Sequence, residues 1–118
     1  MQYGYQGADK VASGGQDKRV RLWRVATRTL ERSLEGSAGG VLSVAFHPEG
    51  RRLVSAGEDK VVRLWDLVTG QEVLEIEGSA GKVSCVTFSH DGRWLAAAGQ
   101  HPTIRLWQAP RPPGLWKG

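Results

Sequence analysis

Hydrophobic and polar positions alternate with a period of two through much of the chain, which predicts β-strands rather than helices. In Val41-Leu42-Ser43-Val44-Ala45-Phe46, the residues Leu42, Val44 and Phe46 share one face and small residues take the other. Val83-Ser84-Cys85-Val86-Thr87-Phe88 repeats that layout. Turns follow at Pro48-Glu49-Gly50 and His90-Asp91-Gly92, each ending in glycine, which accepts positive φ without strain. Further strands are predicted over 52–56 and 94–98, over 61–66 and 103–108, and over 72–77.

The pattern repeats at long range. Trp23, Trp65 and Trp107 are spaced by 42 residues, and the same shift carries Arg21-Leu22 onto Arg63-Leu64 and Arg105-Leu106. It also carries Gly36-Ser37-Ala38-Gly39 onto Gly78-Ser79-Ala80-Gly81, without a gap. Four short antiparallel strands per unit of this length is the pattern of a propeller blade, so the fold class is all-β.

The chain resembles the WD-repeat (WD40-type) β-propeller family from about Lys10 to Trp107. The middle unit carries the resemblance best, in His47-Pro48-Glu49-Gly50, Ser55-Ala56-Gly57-Glu58-Asp59 and Val62-Arg63-Leu64-Trp65-Asp66. The family's Gly-His is replaced by Gly36-Ser37 and Gly78-Ser79. The resemblance implies a buried network joining that His to a Ser or Thr, a Trp and a turn Asp. Here Ser55, Asp59 and Trp65 remain in the middle unit, Ser13, Asp17 and Trp23 in the first, and Trp107 alone in the last, where Ala97 and His101 replace Ser and Asp. A half-satisfied buried network is costly. The expectation is therefore that it is largely absent and that Asp17 and Asp59 cap their own turns.

About three blades fit in 118 residues: blade 1 over about 3–35, blade 2 over about 36–77 and blade 3 over about 78–118. Three strands are counted in the first unit, because Tyr3-Gly4-Tyr5 falls at the end of a truncated one. Four are counted in the second and three in the third, where Pro110, Pro112 and Pro113 disrupt an outer strand and Gly114-Leu115-Trp116 supplies at most an irregular one. Blades are apolar on both faces, and an open run of three exposes two such faces. Closure needs oligomerisation or more chain. The expectation for this molecule is a ring of two copies (six blades) or three (nine blades), with a fragment of a longer propeller as the alternative.

The lone Cys85 excludes an intrachain disulfide framework and, with no signal-like run over Met1 to Lys10, points to the cytoplasm. In an inner strand, aligned with Ser43, it reads as a packed, inert thiol. His47, His90 and His101 share no metal-ligand spacing, and the glycine-rich pieces lack a P-loop's downstream Lys-Ser/Thr. Neither cofactor, metal nor catalytic residue is assigned. The net charge of +4 is dispersed, and its tightest cluster, Lys18, Arg19, Arg21 and Arg24, has no aromatic platform, which disfavours nucleic acid. No segment is apolar enough to span a membrane. Trp23, Trp65, Trp94 and Trp107 are read as packing residues.

The resemblance implies a non-catalytic scaffold that presents a macromolecule-binding surface on its loops. The candidate partner-binding residues are Gln16, Lys18, Ser37, Glu58, Lys60, Ser79, Lys82 and Gln100, the partner being another protein, a second copy of the chain, or both. The rivals are a basic nucleic-acid or anion binder and a ring with one small-ligand site per repeat.

Overall fold

The computed structural model describes residues 2–6, 10–76, 81–100 and 104–108; over 2–6 it describes the backbone. The expectations placed on Glu77, Ser79, His101, Pro102, Thr103, Pro110, Pro112, Pro113 and Trp116 lie outside the described residues.

Among the described residues, eleven strands make three antiparallel sheets. The first holds β1 (Gln2–Gln6), β2 (Lys10–Gly14), β3 (Arg19–Arg24) and β4 (Thr29–Glu35) in sequence order. The second holds β5 (Val41–Phe46), β6 (Arg52–Gly57), β7 (Val62–Asp66) and β8 (Glu72–Ile76). The third holds β9 (Val83–Phe88), β10 (Trp94–Gly99) and β11 (Arg105–Gln108). The strand β5 lies between β1 and β9, so the three sheets stack side by side with their first strands adjacent. The turn glycines behave as their positions demand: Gly50 and Gly92 have φ of 79° and 74°, and each donates its N–H three residues back, to His47 O and Ser89 O.

Two of the sequence expectations are corrected here. The first sheet has four strands, not three, because β1 pairs with β2 along its whole length, from Gln2↔Gly14 to Gln6↔Lys10. The hairpin is shorter than the one joining β5 and β6, where Phe46 pairs with Leu53. Tyr5 and Gln6 therefore stay in the ladder where the 42-residue shift places a turn. The inward face of β5 also differs. A bulge at Leu42 breaks the alternation, so Val41 joins Val44 and Phe46 against the first sheet. The same irregularity recurs in β9, between the Cys85 and Val83 pairings.

Two apolar cores fill the gaps between sheets. One joins Ala12, Val20, Leu22 and Leu34 of the first sheet to Val41, Val44, Leu53 and Trp65 of the second. The other joins Val54, Ala56, Val62 and Leu64 of the second to Val83, Val86, Leu95, Ala97 and Trp107 of the third. Each sheet offers a Val/Leu ridge forward and a Trp-bearing face backward. Gly14 lies so close to Val41 of the next sheet that a Cβ there would collide with it.

Three further readings change. Cys85 is exposed, on the face of the third sheet that no described sheet covers. Trp23 and Trp94 are also exposed rather than packed, for the same reason at the two ends of the stack. His47, given no role by the sequence beyond leading into the Pro48-Glu49-Gly50 turn, is buried between sheets: its Nε2 lies 3.1 Å from Gly92 O and its Nδ1 accepts from Glu49 N at 3.2 Å. Its ring meets Phe88 edge-on at 5.0 Å.

Candidate interaction face

Turns and lead-in segments gather along one edge of all three sheets. Residues 15–18 join β2 to β3 and residues 58–61 join β6 to β7, while residues 36–40 lead into β5 and Gly81 and Lys82 lead into β9. Backbone hydrogen bonds stitch them together. Val41 N donates to Gly15 O at 2.9 Å, Glu58 N to Gly40 O at 3.0 Å and Gln100 N to Lys82 O at 3.1 Å. Each turn is thus fixed to a lead-in, of its own sheet or of the next.

Gln16, Glu58 and Gln100 occupy one position of the repeat, and each turns its side chain onto a lead-in backbone. Gly40 leaves room for two of them: a Cβ there would stand 2.7 Å from Gln16 Oε1 and would collide with Glu58 Oε1. Its counterpart one repeat on is Lys82, whose N–H donates to Gln100 Oε1 at 3.0 Å and whose Nζ is 3.4 Å from Glu58 Oε2. Four of the eight candidate residues, Gln16, Glu58, Lys82 and Gln100, therefore form one line across three sheets. Lys18 and Lys60 stand exposed at the turn tips with φ of 70° and 66°, a left-handed conformation that costs a side-chain-bearing residue about 1–2 kcal/mol. Ser37 is half-buried in the first lead-in, and Ser79 lies outside the described residues.

Beneath this edge the polar network is reorganised, not absent. Trp65 Nε1 donates to Ser55 Oγ at 2.8 Å and Trp23 Nε1 to Ser13 Oγ at 3.0 Å. The turn aspartates cap their own turns as expected, Asp17 accepting from Arg19 N and Asp59 from Val61 N, both at 3.3 Å. Asp59 also accepts from Ala38 N at 3.2 Å, which ties the turn to the lead-in before β5. In place of the family's His, each aspartate engages the periodic arginine four residues on, Asp17 with Arg21 at 2.6 Å and Asp59 with Arg63.

Arg63 is a buried ionic centre that the sequence reading missed. Besides Asp59, its Nη2 donates to Glu75 at 3.1 Å, and its Nε lies 2.9 Å from Glu72 without the angle of a hydrogen bond. Burial would raise the Asp59 carboxyl, but hydrogen bonds from Arg63, Ala38 N and Val61 N outweigh it and hold the group below its ordinary value. Asp17 is lowered chiefly by the Arg21 hydrogen bond. Glu72 moves up, through burial and then the charge of Glu75. The third periodic arginine, Arg105, sets its guanidinium 5.1 Å from the Trp107 ring centre, a cation–π contact.

The basic cluster of the first sheet is largely matched by carboxylates. Arg19 pairs with Glu35 at 3.2 Å, Arg24 with Glu31 at 2.8 Å and Lys10 with Glu31 at 3.3 Å. Phosphate would have to displace those partners. Among the described residues no group of three or more His, Cys, Asp and Glu side chains could hold a metal ion, and no helix is long and apolar enough to cross a membrane.

The family model for the WD domain, G-beta repeat, matches residues 28–66 and 70–108, more than half of the chain. The chain belongs to the WD-repeat family. No curated protein matches it. The WD-repeat assignment indicates a protein-interaction scaffold. Each matched segment starts just before the outer strand of one sheet, β4 or β8, and ends with the third strand of the next, β7 or β11. The sequence unit of this WD-repeat chain is therefore staggered by one strand from its sheets.

Proposed function

We propose that the chain is a non-catalytic WD-repeat scaffold that binds a protein partner through the edge bearing Gln16, Glu58, Lys82 and Gln100, flanked by Lys18, Ser37 and Lys60, with Ser79 a further candidate on its sequence position alone. The observation that carries this reading is the convergence of those four side chains, from three separate sheets, on lead-ins fixed by backbone hydrogen bonds. Loops on a stiff frame hold polar groups in fixed relative positions, which lowers the ordering cost of binding. Two amides, a carboxylate and an ammonium make a surface suited to the backbone and polar side chains of another protein. The working form in this reading is a homo-oligomeric closed propeller of six or nine blades in the cytoplasm, with the blades divided near residues 35 and 77.

The test compares proteins captured by the wild-type chain, by Glu58→Arg/Gln100→Arg and by Glu49→Arg, a control in the turn between β5 and β6. A partner retained by the control and lost with the double variant supports the reading. Equal capture by all three overturns it.

A further inference from the structure

The same repeat positions are buried inside the stack and bare at its ends. Leu22 and Leu64 are each 2% exposed, whereas Leu106, their counterpart on the third sheet, is 61% exposed. Val20 and Val62 are 0% and 1% exposed against 68% for Ile104. The tryptophans run the other way: Trp65 and Trp107 are 1% and 9% exposed, and Trp23, on the first sheet, is 36%. The third sheet thus shows an unused Val/Leu-type ridge, and the first an unused Trp-bearing face.

Both internal junctions join a ridge to a Trp-bearing face; neither joins like to like. The two outer faces of the described sheets are consequently the two halves of an interface the chain already makes twice. The geometry points to a second copy of the chain as the occupant, its first sheet seated on the third sheet of its neighbour, head to tail. Such a contact is heterologous, and it closes into a ring when the rotation per copy divides a full turn. This inference rests on the self-assembly part of the proposed function and adds which faces meet.

The junction has a polar register mark as well. Ser43 Oγ accepts from Val86 N at 3.0 Å across the gap between β5 and β9. One repeat on, Cys85 takes the place of Ser43, and the strand that would face it is β1 of the second copy, with Tyr3 in the place of Val86, because Tyr3 pairs with Ser13 as Val86 pairs with Ala97. Cys85, exposed on the single chain, is covered in the assembly.

The experiment measures native mass by light scattering for the wild-type chain, Leu106→Asp, Trp23→Asp and an equimolar mixture of the two variants. Both substitutions sit at exposed positions, and circular dichroism checks that each variant folds. The wild type is expected at two or three times the chain mass and each variant alone at the mass of one chain. The mixture is expected to regain a two-chain species, because each variant supplies the face the other lacks. In the wild type the Cys85 thiol is expected to react with Ellman's reagent at least tenfold more slowly than in the variants. A wild type of single-chain mass, a Leu106→Asp chain that keeps the wild-type mass, or an immediately reactive wild-type thiol overturns the inference. An assembly insensitive to both substitutions removes the face assignment and leaves self-assembly standing. The partner-capture experiment reads the turn-bearing edge rather than these outer faces and is decided separately.

Discussion

The indole N–H of Trp65 reaches the hydroxyl of Ser55 on the adjacent strand at 2.8 Å, and both residues are buried. One sheet earlier the same pair recurs between Trp23 and Ser13, with the tryptophan exposed. Removing the hydroxyl in each place separates the role of burial from that of the bond. Ser55→Ala leaves a buried donor without its partner and is expected to cost about 1–3 kcal/mol, read from the midpoint of urea unfolding. Ser13→Ala is expected to cost less, because water can reach the Trp23 N–H.

Asp59 couples the fold to acid. Its carboxyl lies below the ordinary value when folded, so its contribution is full above the unfolded value of about 4 and is lost as pH falls through the folded one. Glu72, moved upward, has the opposite sign: its ionised form costs the folded state stability at high pH, and that cost is relieved as pH falls through its folded value. Urea midpoints are therefore expected to fall steeply only below about pH 4, and Asp59→Asn is expected to flatten that fall.

His47 bridges two sheets through Gly92 O and the edge of Phe88. His47→Ala is expected to loosen the third sheet more than the first. Amide exchange over β9 and β10 rises at least tenfold in this variant, while β2 and β3 keep their protection. Equal acceleration everywhere would show that His47 supports the whole stack rather than this junction.

Leu64→Ala empties a core position that is nearly sealed, with an expected loss of about 2–5 kcal/mol. The unfolding midpoint checks it, with Val68→Ala, at an exposed turn position, expected within about 0.5 kcal/mol of wild type.

Lys60 holds a left-handed backbone conformation at a cost of about 1–2 kcal/mol. Lys60→Gly removes that strain but adds about 0.5–1 kcal/mol of unfolded-chain entropy. The net effect is a small gain in stability, seen as a melting temperature raised by a few degrees.

Most strands were legible because the 42-residue repeat allowed each unit to correct the others, and 52–56 against the observed Arg52–Gly57 is typical. The exceptions have local causes. A shortened hairpin hid β1 from the shift, and a bulge moved Val41 onto the face assigned to Leu42. At the candidate face, Gln16, Glu58 and Gln100 are legible in the sequence because they recur at one position of the repeat. The role of His47 left no trace, since its partner is a backbone carbonyl 45 positions away. The link from Glu72 and Glu75 to Arg63 has no mark in the sequence, because only the paired register of β7 and β8 brings them together. Cys85 was judged by Ser43, whose covering sheet it lacks among the described residues.

The one-strand stagger between matched segments and sheets bears on how such a chain can grow. A tandem duplication of one segment inserts a leading strand that completes the sheet before it and three strands that await the next. Every ladder on either side of the insertion stays whole, because the outer strand that follows completes the inserted sheet. The number of sheets can therefore change by recombination without any intermediate in which an interior sheet is broken, so the length of the stack can drift while the architecture of each sheet is preserved.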